Sequence, residues 1–417
     1  MNQDPQIVIT GVGVVSPIGI GVDEFWQSLL HRRSGIKIRK DLADTDWPLK
    51  LYSPIEDFDG KQWVRPRKAL KVMCRPIQFG YTAASLAVED SRISESELDP
   101  DRLGTVFGSE TFFAEPEEVA SVFRQCTERQ NYEHDRWGEF AMKEIQPLWM
   151  LKYLPNMVTS HISIAFDARG PSNSICQAEA SSLLALHEGA DLIRRGTCDA
   201  VIVGGTGSQT SLSGMLYRGH HDMSQNVKEP ENACRPFDAN RDGTVFGEGA
   251  GALVLESESH ARRRQAKILG RVTGMCRNFC GIESGRFQSA LEENLRSLTR
   301  SQNRDRKFTH FNAHGSAARD LDELEAQAIS NVFGEIPVLA CKSNFGHLGP
   351  GAGMIELIAS ILAMQHQTLP PSCNYCDADP LCPVDIGTAP RDLESGEFAK
   401  LSFSQNGQIA SLSVASC

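Results

Sequence analysis

Two histidines in this sequence stand in matching settings that could support electrophilic or acid–base chemistry. His314 in FNAHGSAARD and His347 in SNFGHLGPGAG each lie between an apolar, strand-like run and a glycine-rich turn. Either one alone could be a satisfied core histidine, but residues at strand ends commonly face a cleft, so the shared setting favours one site. Neutral imidazoles there could donate Nε2–H to a carbonyl oxygen and stabilise an enolate. Lys342 is expected to pair with Glu325 and hold this site rigid, because an unpaired buried charge is costly.

A third candidate lies in NSICQAEASSLLALHEGA, residues 173–190, which predicts a buried helix with a reactive residue at its front. The residue at the apex is Glu179, and Cys176 lies three positions earlier. The stretch alone leaves thiol chemistry, carboxylate chemistry and no chemistry open. Glu179 is expected to be ionised, because a helix N-terminus favours the charged form.

Short apolar runs alternate with helical patterns along the whole chain, which predicts an α/β fold. IVITGVGVVSP, RLGTVFGS, CDAVIVGGTGS and GAGALVLES are near-continuous apolar runs, typical of strands buried on both faces. KILGRVTGM, KFTHFNAHG, IPVLACKSNFGH and AKLSFSQNG continue the pattern. The charged run ESESHARRRQAK, residues 256–267, is either a junction between two halves, 1–256 and 257–417, or a solvated helix within one domain.

Composition excludes several classes of protein. The chain has 417 residues and a formal charge of −11, so it has no basic excess for generic nucleic-acid binding. No apolar run approaches the roughly 20 residues of a membrane span, and the N-terminus runs directly into a predicted strand without a leader. Twelve cysteines are expected to be free thiols in a cytoplasmic protein. No metal site is predicted, because the cysteines at 373, 376 and 382 lack a fourth ligand at a suitable spacing.

Two further motifs have structural interpretations. ITGVGVVSPIG resembles a dinucleotide-binding turn only weakly, because its third glycine is misplaced and Pro17 follows. CRPFDANRDGTVFGEG, residues 234–249, is expected to form an ion-pair lattice around a turn through Arg235, Asp238, Arg241 and Asp242, with direct substrate contact as the alternative.

A basic segment interrupts the acidic chain at WVRPRKALKVMCR, residues 63–75. Helical spacing would place Arg67 or Lys68 on one face with Lys71 and Arg75. Such a face would attract an acidic protein partner. A plain solvated helix is the alternative.

These motifs together make the chain resemble the β-ketoacyl-(acyl carrier protein) synthases, the elongating type II condensing enzymes. The resemblance includes IVITGVGVVSPIG, LPNMVTSHISIAFDARGPS, CRPFD followed by RDGTVFGEGAGALVLE, and both histidine motifs. It implies a thiolase-like fold with five αβαβα layers and two halves related by a pseudo-twofold. It also implies a dimer, expected to be a homodimer with a heterodimer as the alternative. No separate cofactor is expected, because phosphopantetheine arrives on the acyl carrier protein.

The resemblance assigns roles to individual residues. His314, His347 and Lys342 match the supporting catalytic positions, and Glu325 matches an acidic partner. The family's nucleophilic cysteine lies nine residues beyond the glycine of GPS, and counting from Gly170 reaches Glu179. Further supporting positions, some altered here, are Asp322, Ser316, Phe403 and Gln405. The family docks its carrier protein on basic residues that match Arg67, Lys68 and Lys71.

Without the cysteine, condensation through an acyl-enzyme is not expected, and several functions stay open. Glu179 could mimic the acylated state, as a glutamine is thought to do in related members, and leave the histidines to decarboxylate malonyl-carrier. The chain could instead be a non-catalytic partner subunit, similar to a chain-length factor. Glu179 could also act as a general base on another thioester, or serve only as a partner for the histidines.

Overall fold

The computed structural model describes residues 5–128, 131–219, 222–300 and 307–417. Within these ranges the β-strands are β1 Ile7–Ser16, β2 Gly19–Ile20, β3 Lys37–Ile38, β4 Leu51–Tyr52, β5 Leu103–Gly108, β6 Thr127–Glu128, β7 Asn131–Tyr132, β8 Ser172–Ile175, β9 Ala200–Ser208, β10 Glu248–Ser257, β11 Gly270–Phe279, β12 Phe308–Asn312, β13 Pro337–Leu339, β14 Thr368–Leu369, β15 Asp385–Ile386, β16 Arg391–Asp392, β17 Glu397–Phe403 and β18 Gln408–Ala415.

The α-helices of the same ranges alternate with these strands. They are α1 Val22–Leu30, α2 Gly60–Trp63, α3 Arg75–Ser91, α4 Pro116–Cys126, α5 Trp137–Glu144, α6 Met157–Phe166, α7 Ser181–Arg194, α8 Leu212–Arg218, α9 Glu258–Arg263, α10 Phe287–Arg300, α11 Arg319–Phe333, α12 Lys342–Phe345 and α13 Ala352–Gln365.

The strand order is the same in the first and second parts of the chain. The first part runs β8-β5-β9-β10-β1 across the sheet and the second runs β13-β12-β17-β18-β11. Numbered along the chain within each part, both orders are 3-2-4-5-1. The two sets meet where β1 pairs antiparallel with β11, and β15 extends the second set at its outer edge. This repeat is the predicted relationship between two similar halves.

The helices form three layers around the strands. Helices α3 and α6 pack on the outer face of the first set, and α10 and α11 pack on that of the second. Between the sets lie α7 and α13, whose apolar residues share one core with β1, β9, β10 and β18. The predicted five-layered thiolase-like architecture is therefore confirmed. Since α7 carries Glu179 at its front, the central layer places that residue between the halves.

The predicted strands are largely present, with one correction. All ten residues of β1 and of β10 are buried, as their apolar runs indicate. In IPVLACKSNFGH, however, only Pro337–Leu339 is a strand, and the chain turns into α12 before His347. His347 thus follows a helix rather than a strand end.

The charged run 256–267 connects the two strand sets. It begins at the end of β10 and forms α9, capped by Ser257 Oγ, which accepts from the His260 N–H at 3.3 Å. The boundary predicted between residues 256 and 257 stays a prediction. In the described ranges no helix is both long and apolar enough to cross a membrane.

Candidate active site

Glu179 lies in a tight turn at the front of the central helix. A 3-10 turn, Ala178–Ala180, joins the end of β8 to α7. Ser181 Oγ fixes this turn, because it accepts the Gln177 N–H at 2.8 Å and donates to the Ala178 carbonyl at 2.6 Å. Ala178 has a φ of 47°, in the left-handed region. Strain of this kind is kept where the surrounding structure holds it, and it commonly marks a functional turn.

Glu179 and His347 are in direct contact. His347 Nε2 lies 3.0 Å from Glu179 Oε1, and both side chains are largely buried. The Gly349 N–H donates to His347 Nδ1 at 3.1 Å, so the imidazole carries its proton on Nε2 and donates it to the carboxylate. The second oxygen, Oε2, is buried and accepts no hydrogen bond from any residue that the structure describes.

The carboxyl group of Glu179 is ionised. Burial opposes ionisation, but the hydrogen bond from His347, together with the charge of Lys342, holds the pKa of this group below its ordinary value. The prediction of an ionised carboxylate is therefore confirmed, with His347 as its hydrogen-bond partner.

His314 is held neutral by its surroundings. It follows β12, is 5% exposed, and packs its ring 4.3 Å from the ring of Phe403. Burial, reinforced by the charges of Lys342 and Lys400, places the pKa of His314 well below its ordinary value. Lys342 Nζ lies 3.4 Å from Nδ1. An ammonium can only donate, so the ring proton of His314 is on Nε2.

The predicted pairing of Lys342 with Glu325 is wrong. Lys342 Nζ binds Glu356 Oε1 at 2.7 Å, and Lys400 Nζ binds Glu356 Oε2 at 2.6 Å. Glu356 lies on α13, which packs beside the start of α12, whereas Glu325 on α11 faces the backbone next to His314. Sequence reasoning missed both Glu356 and Lys400. The available signal was a lone charge in each of two apolar runs, AGMIELIASILAMQ and FAKLSF.

Charged groups clamp the backbone around His314. Glu325 accepts the N–H groups of His314 at 2.6 Å and of Gly315 at 2.8 Å. Lys400 donates to the Ala313 carbonyl at 3.1 Å, and Lys342 donates to the His314 carbonyl. Both polar atoms of two successive peptide groups thus end on buried ionisable side chains, which fixes the direction of the imidazole. Burial raises the pKa of Glu325 to about 7.

The supporting residues divide into two groups. Asp322 accepts the Ser316 N–H at 2.8 Å and the Ser316 hydroxyl at 3.1 Å, and burial raises its pKa to about 6. Ser316 therefore braces the loop rather than facing a ligand. Phe403 packs against His314, while Gln405 is exposed in the turn between β17 and β18.

The ion-pair lattice near residue 240 has wider connections than predicted. Arg241 is fully buried and binds Asp379 at 2.5 Å and Glu323 at 3.3 Å. Asp238 accepts backbone N–H groups of Cys376 and Asp377. The lattice joins distant segments, which supports the structural interpretation.

The basic segment is exposed but is not one helical face. A 3-10 helix, Arg67–Val72, precedes α3, and Met73 and Cys74 between them are extended. Arg67, Lys68 and Lys71 are exposed, as a docking surface requires. The predicted grouping with Arg75 is wrong, because the break in the helix turns Arg75 toward Glu248, which it binds at 2.9 Å.

The loop that carries His347 lies directly on strand backbone. A Cβ atom at Gly205 would lie 2.4 Å from the Pro350 carbonyl oxygen, and one at Gly207 would lie 2.2 Å from that of Leu348. Only glycine permits this approach, so β9 forms a floor without side chains under the loop.

A cavity of about 410 Å³ opens beside Glu179 and His347. Its other walls include Glu110, Arg218 and Gln405. A neighbouring cleft of about 490 Å³ shares Gln405 and extends along residues 318–321. The cavity can therefore admit a small group beside Glu179 and the His347 imidazole, whereas His314 is not among the residues that line it. Among the residues that the structure describes, no cluster of side chains is arranged to hold a metal ion.

The fold and the paired histidines define the class of thiolase-like ketosynthases. The family described as "Beta-ketoacyl synthase, N-terminal domain" matches residues 4–261, and the corresponding C-terminal domain matches residues 283–376. This chain belongs to the beta-ketoacyl synthase family.

Individual proteins agree with this assignment. The chain is 30% identical over 420 residues to 3-oxoacyl-[acyl-carrier-protein] synthase 2 of Coxiella burnetii, covering 98% of this chain and 97% of that protein. A crystal structure of a beta-ketoacyl synthase from Burkholderia phymatum matches with a TM-score of 0.88 and 25% identity, covering 99% of this chain and all of the other.

Two further solved structures agree in fold over the full length of both chains at 24% identity. The ishigamide ketosynthase/chain length factor matches with a TM-score of 0.85. One chain of a structure described as a type II PKS acyl-carrier protein in complex with its ketosynthase matches with a TM-score of 0.84.

Proposed function

We propose that this protein decarboxylates a malonyl group carried by acyl carrier protein and does not carry out cysteine-dependent condensation. The observation that carries the proposal is the protonation of the two histidines. His314 and His347 each have an acceptor Nδ1 bound from behind, by Lys342 and by the Gly349 N–H, so each proton is on Nε2. Such donors stabilise an oxyanion without having to deliver a proton.

Condensation requires a reactive thiolate to hold the acyl group, and decarboxylation does not. Glu179 stands where the family resemblance places the nucleophilic cysteine. A carboxylate is a poor acyl acceptor, since the anhydride it would form hydrolyses readily. Burial of its sulfur and the charge of Glu110 raise the pKa of Cys176, so this thiol is not an activated substitute.

The proposed reaction balances without a cofactor. The bond between the malonyl carboxylate carbon and Cα breaks, carbon dioxide leaves, and the electron pair forms the enolate of the acetyl thioester. Nε2–H of His314 donates to the enolate oxygen. The oxygen also takes the place of Glu179 Oε1 at His347 Nε2. A proton from water then gives acetyl-carrier.

The carrier-protein partner is supported by the exposed basic residues Arg67, Lys68 and Lys71. Acyl carrier proteins are acidic, so these side chains would steer their approach. The related ketosynthase solved with its acyl-carrier protein is consistent with this partner. We propose a dimer as the functional unit.

A specific contact favours a second candidate, a non-catalytic partner subunit. The charged Glu179 occupies the Nε2–H of His347 at 3.0 Å, and this donor is one of the two that the reaction needs. If this contact were permanent, His347 could not donate to a substrate, and the protein would act only as a structural subunit. The similarity in fold to a ketosynthase/chain length factor is compatible with that role.

Release of carbon dioxide from malonyl-carrier by the purified protein tests the proposal. We expect carbon dioxide and acetyl-carrier in equal amounts, and loss of both in His314→Ala and in His347→Ala. His366→Ala, which removes an imidazole stacked on Trp26 far from the cavity, is the matched control. No carbon dioxide, with co-purification of a cysteine-bearing synthase as a heterodimer, would instead support the partner subunit. An acyl adduct on Cys176 would show that the thiol is the nucleophile.

A further inference from the structure

One wall of the cavity beside His347 is an ion pair. Arg218 Nη2 lies 2.5 Å from Glu110 Oε2, and Gln209 Nε2 donates to both oxygens of Glu110 at 2.9 and 3.0 Å. All three residues line the same cavity as Glu179 and His347. The acyl end of a bound thioester would therefore meet charged and amide groups.

Three separate elements hold this wall in place. Glu110 follows β5, Gln209 follows β9, and Arg218 ends α8. The Arg218 guanidinium lies over the ring of Phe113, 5.2 Å from its centre. A Cβ at Gly349 would lie 2.1 Å from Gln209 Nε2, so the wall is packed against the loop of His347.

The wall sets the chemistry of a fitting ligand. Against an apolar wall, each buried CH₂ group would strengthen binding about fourfold. Here an alkyl chain would have to remove water from an ion pair that stays partly exposed, with 15% of the Glu110 side chain and 21% of the Arg218 side chain accessible. Charged groups that lose water without new partners are destabilised. A hydroxyl, amide or carboxylate would instead replace that water. Glu179 Oε2, which lacks a partner in the described chain, could accept from a ligand donor.

From this wall we infer that the cavity selects short acyl groups bearing a hydrogen-bonding substituent and excludes alkyl chains. The inference rests on the proposed function in taking a thioester as the ligand, and it adds the class of acyl group. It requires no turnover.

Binding of non-hydrolysable acyl-pantetheine amides tests this selectivity. The series is malonyl, 3-hydroxybutyryl, butyryl, octanoyl and dodecanoyl, measured by titration calorimetry. We expect 3-hydroxybutyryl to bind at least tenfold more tightly than butyryl, and octanoyl to bind no more tightly than butyryl. Affinity that rises about fourfold per CH₂ from butyryl to octanoyl would overturn the inference. Failure to bind any member of the series would also overturn it.

Variants separate the wall from general effects on the protein. In Glu110→Leu with Arg218→Met, affinity should increase with chain length. The isosteric Glu110→Gln should reduce the preference for 3-hydroxybutyryl. The matched control is Arg102→Met, which breaks the Arg102–Asp199 pair outside the cavity and should leave the profile unchanged. If the wild type shows the expected profile but releases no carbon dioxide, the selectivity stands and the proposed reaction fails.

Discussion

Lys342 and Lys400 bind the two oxygens of a single carboxylate, that of Glu356, and all three side chains are fully buried. Two ammonium groups thus share one anion within reach of His314. The cluster gives His314 positive neighbours, which, together with burial, keep its imidazole neutral. The same two ammonium groups bind successive backbone carbonyls. Lys342 and Lys400 therefore fix both the position of the imidazole and its protonation.

Replacing Lys400 by Met should destabilise the fold and alter His314. One Glu356 oxygen and the Ala313 carbonyl lose their ammonium donor, and breaking such a buried pair costs about 3–5 kcal/mol. Loss of the positive charge should also raise the pKa of His314. Urea unfolding and NMR titration of the imidazole measure the two effects. Lys307→Met, at an exposed pair with Glu394, should stay within about 0.5 kcal/mol of wild type. Equal stability of Lys400→Met and Lys307→Met would contradict the role of Lys400 in holding the backbone next to His314.

As pH rises, the wild type should lose stability relative to the variant Glu325→Gln. Its pKa is raised from 4.5 to about 7 in the folded protein. Between these values the folded state keeps a proton that the unfolded chain has lost, so this contribution is full below pH 4.5 and declines up to about pH 7. The difference in unfolding free energy should change by up to about 1.4 kcal/mol per pH unit. Denaturant unfolding from pH 4.5 to 8 measures it. A difference that grows in favour of the wild type would have the wrong sign.

Glu179→Gln should raise the rate of carbon dioxide release about tenfold, equivalent to about 1.4 kcal/mol. The amide can still accept the His347 proton, but it removes a negative charge that faces the malonyl carboxylate and the developing enolate. Single-turnover assays with malonyl-carrier measure the rate. A large decrease would show instead that the carboxylate itself takes part in the reaction.

Binding of acyl carrier protein should weaken at least tenfold at low salt when Arg67, Lys68 and Lys71 are all replaced by alanine. Most of the loss should lie in the association rate and diminish as salt screens the charges. Surface plasmon resonance at several salt concentrations measures both. A triple-alanine variant at Arg169, Arg195 and Arg262, which are also exposed, keeps the same net charge as a control. Equal losses in the two variants would indicate a general effect of charge.

Gly207→Ala should displace the loop that carries His347. The new methyl would lie 2.2 Å from the Leu348 carbonyl oxygen, and overpacking of this kind costs about 1–3 kcal/mol. We expect lower thermal stability and a lower rate of carbon dioxide release. Gly281→Ala, where a Cβ meets nothing within 4 Å, is the control. Normal activity of Gly207→Ala would mean that the loop can move without consequence.

The sequence predicts the fold and much of the site, but not the pairing of buried charges. Apolar runs and motif order predict the layers, and His347 and Glu179 meet although 168 positions separate them. Lys342 was assigned to Glu325 because both flank the histidines along the chain. The direction of α13 brings Glu356 closer, and spacing carries no information about that packing. The ion pair of Glu110 and Arg218 was missed for the same reason, because packing brings the end of a strand next to the end of a helix.

The floor of glycine backbone under the His347 loop has a consequence for how this chain can diverge. An ordinary core position can accept a new side chain when its neighbours repack, but at Gly205 and Gly207 the nearest atom to a new Cβ is a main-chain carbonyl oxygen. Selection for folding alone would therefore preserve the geometry of this loop, whatever reaction the protein performs. Position 179 has no such restriction, because its side chain lies at the wall of a cavity. The geometry of the His347 loop would thus be kept whichever side chain stood at position 179.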